Sequence, residues 1–173
     1  MIKAKAVEMW IVAAVALVAV AAPLVAKHSG LRFNDTTSLP VGLYRRTPGP
    51  SPYVAICLPT AIVSSAIGAG LSLPSGECPD GHRPILKKIY RATSDKPITF
   101  DERGFRINGR LLANTAPKEK SKTGARLQHQ AFGTYREGLF AISDYNPDSF
   151  DSRYFGPVSQ ASIRYYAVPF VLF

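Results

Sequence analysis

Hydrophobic and polar positions divide the chain into two unlike parts. Residues 9–26, MWIVAAVALVAVAAPLVA, are eighteen apolar positions without a charge. That length is at the lower edge of a membrane span and longer than the usual signal-peptide core of about 7–15 residues. Lys3 and Lys5 precede it, and VAA and LVA offer small residues that a leader peptidase can cut. The segment 1–26 therefore reads as an N-terminal signal anchor or a signal peptide, and either reading exports residues 27–173. Nothing polar marks an outer face, which argues against a buried helix of a soluble protein. After residue 27 the pattern changes to short apolar runs between turn signals. YVAICL, PILKKIY, GLFAI and IRYYAVPFVLF read as strands, and DERGF, NGR and SDYNPDS as turns. FRINGRLL predicts a hairpin closed at Asn108-Gly109. TAIVSSAIGAG, residues 60–70, predicts a short helix ended by Gly. The expected fold is mainly β, one antiparallel domain over 27–173 with few short helices, preceded by one N-terminal hydrophobic helix.

Charge adds little to this picture. The chain has 173 residues, with 21 Lys+Arg against 12 Asp+Glu. A basic balance suits nucleic acid, an anionic membrane surface or an acidic partner. No zinc-finger spacing, aromatic-and-basic box or long basic helix is present, so nucleic acid is not expected. KEKSKTGAR, 118–126, is interrupted by Gly and Glu and reads as a solvated loop. Next to a bilayer, excess positive charge faces anionic headgroups. The two cysteines, Cys57 and Cys78, read as one disulfide in an oxidising compartment, two buried thiols being the alternative. An unstrained loop of that size contributes roughly 3 kcal/mol on the chain-entropy estimate. No His or further Cys stands at ligand spacing, so no metal and no cofactor are expected.

The stretch NDTTSLPVGLYRR, 34–46, raises the chemical question. Ser38 ends a run of hydroxyls directly before Leu-Pro. His28, His82 and His129 stand in no pattern that suggests a triad, and no G-x-S-x-G elbow occurs. A serine can instead be activated by a neutral lysine. Such a lysine must be buried, because desolvation disfavours its charged form. In an extended 85–90, Ile85, Lys87 and Ile89 share one face, and Leu86, Lys88 and Tyr90 the other. Alternation alone leaves open which lysine faces the core, and whether either does.

These stretches together resemble the type I signal peptidases. Ser38 before Leu-Pro resembles their nucleophile box. ILKKIYRATSD resembles the lysine box, with Lys87 at the general-base position, Lys88 in the basic slot after it and Asp95 at the closing acid. DERGFRINGRLL resembles the following stretch, and GLFAISDYNPDSFDSRYFGPV the final box. The resemblance covers most of 30–160, in the same order and after a similar anchor. It implies Ser38 as nucleophile, Lys87 as base and Thr36 as an oxyanion donor. It also implies Ser149 as the hydroxyl orienting the lysine, and Asp151 and Arg153 as a bracing ion pair. Asp144 matches an acid of the final box.

The departures are specific. One residue, not two, separates Ser38 from Pro40. Arg-Ala-Thr-Ser stands for Gly-Leu-Pro-Gly, and Ser-Asp-Tyr-Asn for Gly-Asp-Asn-Arg. Ser-Leu-Pro-Val-Gly-Leu-Tyr-Arg is similar to the branch encoded with conjugative plasmid transfer, the TraF maturation peptidases. That resemblance implies a pilin precursor or another exported precursor peptide as partner; the protein is expected to be a monomer in the periplasm, tethered to the inner membrane by residues 9–26 or released after signal cleavage. In some systems of that branch the ends of the pilin are joined into a circle. A general leader peptidase and an inactive membrane-tethered channel component are the other classes to be separated from it.

Overall fold

The structure, a computed structural model, describes residues 29–173 throughout and eight helical positions between Trp10 and Val20. The expected hydrophobic helix at 9–26 thus lies mostly outside the described residues. Among those described, no helix is long and apolar enough to cross a membrane.

From Leu31 onward the chain is mainly antiparallel β. One sheet has six strands: β1 (Leu31–Asn34), β2 (Gly42–Thr47), β3 (Tyr53–Ile56), β4 (Ile85–Ala92), β9 (Gly138–Ile142) and β10 (Ile163–Leu172). Their spatial order is β1-β2-β10-β3-β4-β9. The other sheet has four: β5 (Ile98–Asp101), β6 (Gly104–Ile107), β7 (Arg110–Leu111) and β8 (Gly133–Tyr135), in the order β7-β6-β5-β8. Between β3 and β4 lies α1 (Thr60–Gly68). A one-turn helix α2 (Ser152–Phe155) and a 3-10 turn at Gln160–Ser162 lead into β10.

The turn chemistry follows the residues. Asn108 and Gly109 both take positive φ, 51° and 76°, as a two-residue hairpin requires, and Ile107 pairs with Arg110 across it. Gly42 has a different reason. A Cβ there would lie 2.2 Å from the Val171 carbonyl oxygen, so only Gly lets β10 pair closely with β2. Pro169 lies in β10 at a register shift, where a missing ladder donor is tolerated.

Alternation along the strands fills three cores around the six-stranded sheet. Leu39, Tyr44 and Ala167 form one; Val54, Ile56, Leu58, Val63 and Ala141 form the next. α1 and the residue that caps its end set Ala66 and Ala69 against Phe150 in a third. The four-stranded sheet packs Phe100 and Phe105 on Phe140 and Ile142 of β9. β4 therefore runs through the middle of the buried region, which is where Lys87 sits.

Candidate active site

The β1–β2 connection is a caged turn. Leu39 is fully buried against Tyr44 and Ala167 and anchors the turn from below. Asn34 shares its amide N–H groups among the carbonyls of Thr36, Leu39 and Pro40, at 3.0, 3.3 and 3.1 Å. The Tyr44 hydroxyl donates to the Pro40 carbonyl at 2.9 Å, and burial pushes its pKa up to about 12. With its backbone held this way, Ser38 lies half-buried at the wall of a cleft.

Lys87 reaches the same point from β4. It pairs with Val54 in register and is 3% exposed. Its Nζ lies 2.5 Å from Ser38 Oγ and 2.9 Å from Ser149 Oγ, and the two hydroxyl oxygens are 3.2 Å apart. Burial lowers the ammonium pKa to about 8; the Asp151 carboxylate opposes that shift and the Arg153 guanidinium adds to it. At pH 7 such an amine is neutral in roughly a tenth of molecules, against well under a thousandth for a free lysine. A neutral amine at hydrogen-bond distance can accept the serine proton. Lys88 points to the opposite face and donates to Asp144 Oδ2 at 2.8 Å, where Tyr90 also donates at 3.3 Å. Alternation thus separates a buried amine from an ion-paired one.

Asp151, Ser152 and Arg153 fix the far side. Asp151 and Arg153 are both 0% exposed and form an ion pair at 2.9 Å. Asp151 also caps α2, accepting from the Arg153 N–H, and accepts from the Ser143 N–H. The Ala141 N–H donates to Ser152 Oγ, tying α2 to β9. Arg153 donates to the carbonyls of Asn114, Ala116, Asn146, Pro147 and Ser149. A buried guanidinium with this many partners is a hub, and its bond to Ser149 O sets the backbone that carries the Ser149 hydroxyl to Lys87.

Comparison with known proteins gives the family. The family described as signal peptidase, peptidase S26, matches residues 5–170. The chain belongs to this family. A plasmid transfer protein TraF of Escherichia coli is 34% identical over 89% of this chain and 91% of its own length. A second Escherichia coli plasmid transfer protein TraF is 33% identical over 78% and 79%. A conjugal transfer protein TraF of Agrobacterium fabrum is 29% identical over 83% and 84%. The chain thus falls in the TraF branch of a peptidase family. No solved structure matches it at a significant level.

This group of side chains borders a cleft of about 610 Å³. Ser38, Lys87 and Ser149 lie along it, together with apolar side chains of Leu71, Leu73 and Ile85. The wall at 69–77 contains no regular strand or helix. Cys57 and Cys78 are disulfide-bonded and tie the end of that wall to the chain just after β3. Among the histidines, His82 sits in the turn beside Asp80, His129 stacks on Phe132, and His28 lies outside the described residues. Among the described residues no group of His, Cys, Asp or Glu could hold a metal ion.

Two sequence matches sit differently from the dyad. The Thr36 hydroxyl donates to Asn34 Oδ1 at 2.8 Å, so in this state it is directed at its own turn. Asp95 is exposed in a local turn with Thr93, which lowers its carboxyl pKa by hydrogen bonding. Asn34, Tyr44 and Ser143 join the site without having been singled out from the sequence. The available signals were Asn34, which sits four residues before Ser38 in a turn-forming run, and Ser143, which stands where the signal-peptidase pattern has Gly.

Proposed function

We propose that this chain is a serine endopeptidase of conjugative plasmid transfer, with Ser38 as nucleophile and Lys87 as general base. The observation that carries the reading is the 2.5 Å approach of a buried lysine to a serine on a cleft wall. Neutral Lys87 takes the Ser38 proton as Oγ bonds to the scissile carbonyl carbon. The resulting ammonium then protonates the departing amine, leaving an acyl-enzyme on Ser38. Ser149 orients Nζ, and Asp151 with Arg153 braces Ser149. The Ser38 N–H donates to no acceptor among the described residues and is available to the oxyanion. Thr36 can add a donor by turning its hydroxyl from Asn34 to the substrate.

Water resolves the acyl-enzyme by hydrolysis. The substrate's own terminal amine, held nearby at high effective molarity, resolves it by aminolysis and closes a ring. The substrate in this reading is a pilin precursor, and the support is the transfer function in the names of relatives matched along most of their length. The enzyme works as a monomer on the periplasmic side of the inner membrane, held there by residues 9–26 or released after cleavage.

Processing assays with folded variants test the dyad. Ser38→Ala and Lys87→Ala abolish cleavage and Lys88→Ala retains it; substantial cleavage by Lys87→Ala overturns the assignment. For the substrate, a pilin precursor is cleaved faster than an ordinary secretory precursor. Equal rates would replace the dedicated enzyme with a general leader peptidase.

A further inference from the structure

We propose that Ser143 is a positioning residue for Ser38, an inference that rests on the dyad reading above. Ser143 follows β9 directly and is 0% exposed. Its hydroxyl donates to the Ser38 carbonyl oxygen at 2.5 Å and accepts from the Asn146 N–H at 3.1 Å. Its own N–H donates to Asp151 Oδ2 at 2.9 Å. One side chain therefore joins the bracing carboxylate to the backbone of Ser38. Asn146 adds a second fastening, donating from Nδ2 to Thr37 Oγ1 at 2.7 Å. The turn at 143–146 thus grips two successive residues of the turn that carries Ser38.

Two of the departures from the signal-peptidase pattern meet at this bond. The Ser38 turn has one residue, not two, before its proline, and Ser143 stands where the pattern has Gly. Glycine offers no side-chain donor. The serine hydroxyl supplies one to the carbonyl of the shortened turn. A buried hydroxyl whose donor and acceptor are both engaged has a fixed orientation. Fixing the Ser38 carbonyl fixes its ψ, and with Leu39 anchored in the core this holds Oγ against Lys87 Nζ. A displacement of about 1 Å at a reacting atom can cost about 10²-fold in rate.

The experiment is single-turnover acylation and steady-state kinetics of the full chain in detergent, using a peptide that the wild type cleaves. Ser143→Ala lowers the acylation rate by about 10- to 100-fold and changes KM by less than about threefold. The midpoint of its pH–rate curve stays where the wild type has it, because burial and the Asp151–Arg153 pair around Lys87 are untouched. Ser143→Thr keeps the oxygen and recovers rate. If Ser143→Ala does not fold, Ser143→Cys decides, since it keeps the volume of the buried side chain and replaces the hydroxyl by a weak donor; a lower rate at unchanged KM supports the inference and an unchanged rate overturns it. A wild-type rate in folded Ser143→Ala, or a shifted midpoint, overturns the inference while leaving the dyad in place. If Lys87→Ala remains active, it is the dyad that fails.

Discussion

Asp148 and Asp151 stand three residues apart on one loop and meet opposite fates. Asp148 turns outward to Lys118 and Lys122, the latter with a side chain 70% exposed. Asp151 turns inward to Arg153, and neither is exposed at all. The outer pairs, like Arg83–Asp35 and Arg46–Glu77, are partly exposed to solvent. Solvent and salt screen such pairs, which are worth about 0–1 kcal/mol each. The inner pair is dry, so each of its groups depends on the partner for its solvation. The geometry of the proposed dyad rests on the inner pair, because Arg153 holds Ser149, Ser149 meets Lys87, and Lys87 meets Ser38. Rim charges are free to adapt to a substrate, whereas the inner network is not.

The largest expected effect comes from breaking the inner pair. Arg153→Ala strands the Asp151 carboxylate and orphans several carbonyls, and destabilises by about 3–5 kcal/mol in urea unfolding. Near-wild-type stability would mean that the inner pair is no more important than the rim. Next is the staple of the cleft wall. Replacing Cys57 and Cys78 together with serine costs about 3 kcal/mol, read by non-reducing thermal unfolding, and raises KM as the wall at 69–77 loosens. Lys87→Met sharpens the comparison with the opposite sign. The wild-type amine has a folded pKa of about 8 against the 10.5 of an ordinary lysine. Below pH 8 the penalty of burying it is fully present. Between 8 and 10.5 the unfolded state binds more protons, so wild-type stability rises with pH. Lys87→Met is therefore more stable at pH 7, on the order of 2 kcal/mol, and this gain shrinks towards pH 10.5. A Lys87→Met variant less stable than wild type at pH 7 contradicts the buried-amine account. Smallest is the rim: Lys118→Ala costs under about 1 kcal/mol, and added salt removes the difference.

Four strands of the six-stranded sheet, β3, β4, β9 and β10, were legible as short apolar runs between turn signals, whereas β1 and β2 were not read as strands. β4 was the informative one: period two placed Lys87 between Ile85 and Ile89, and the structure adds which face is buried. The Asn108-Gly109 turn, the helix at 60–68 and the disulfide were legible from local chemistry. β8 was not, since three residues, Gly133–Tyr135, carry no period. Asp151 and Arg153 read locally as a turn acid and a surface base, and only the family pattern pointed to a pair. Ser143 and Asn146 were beyond local reading. Their bonds to Ser38 and Thr37 span 105 and 109 residues, and a polar residue in a turn does not reveal such a partner.

The central claim is that a buried lysine, and no histidine, activates Ser38. The most direct measurement is the single-turnover acylation rate of the full chain across pH. The rate should rise along a single-base curve with its midpoint near 8, the folded pKa of Lys87, well below the 10.5 of an ordinary lysine. Replacing His28, His82 and His129 together should leave that curve unmoved. A midpoint near that of free imidazole, about 6.5, that disappears with the triple replacement would contradict the account and assign the base to a histidine.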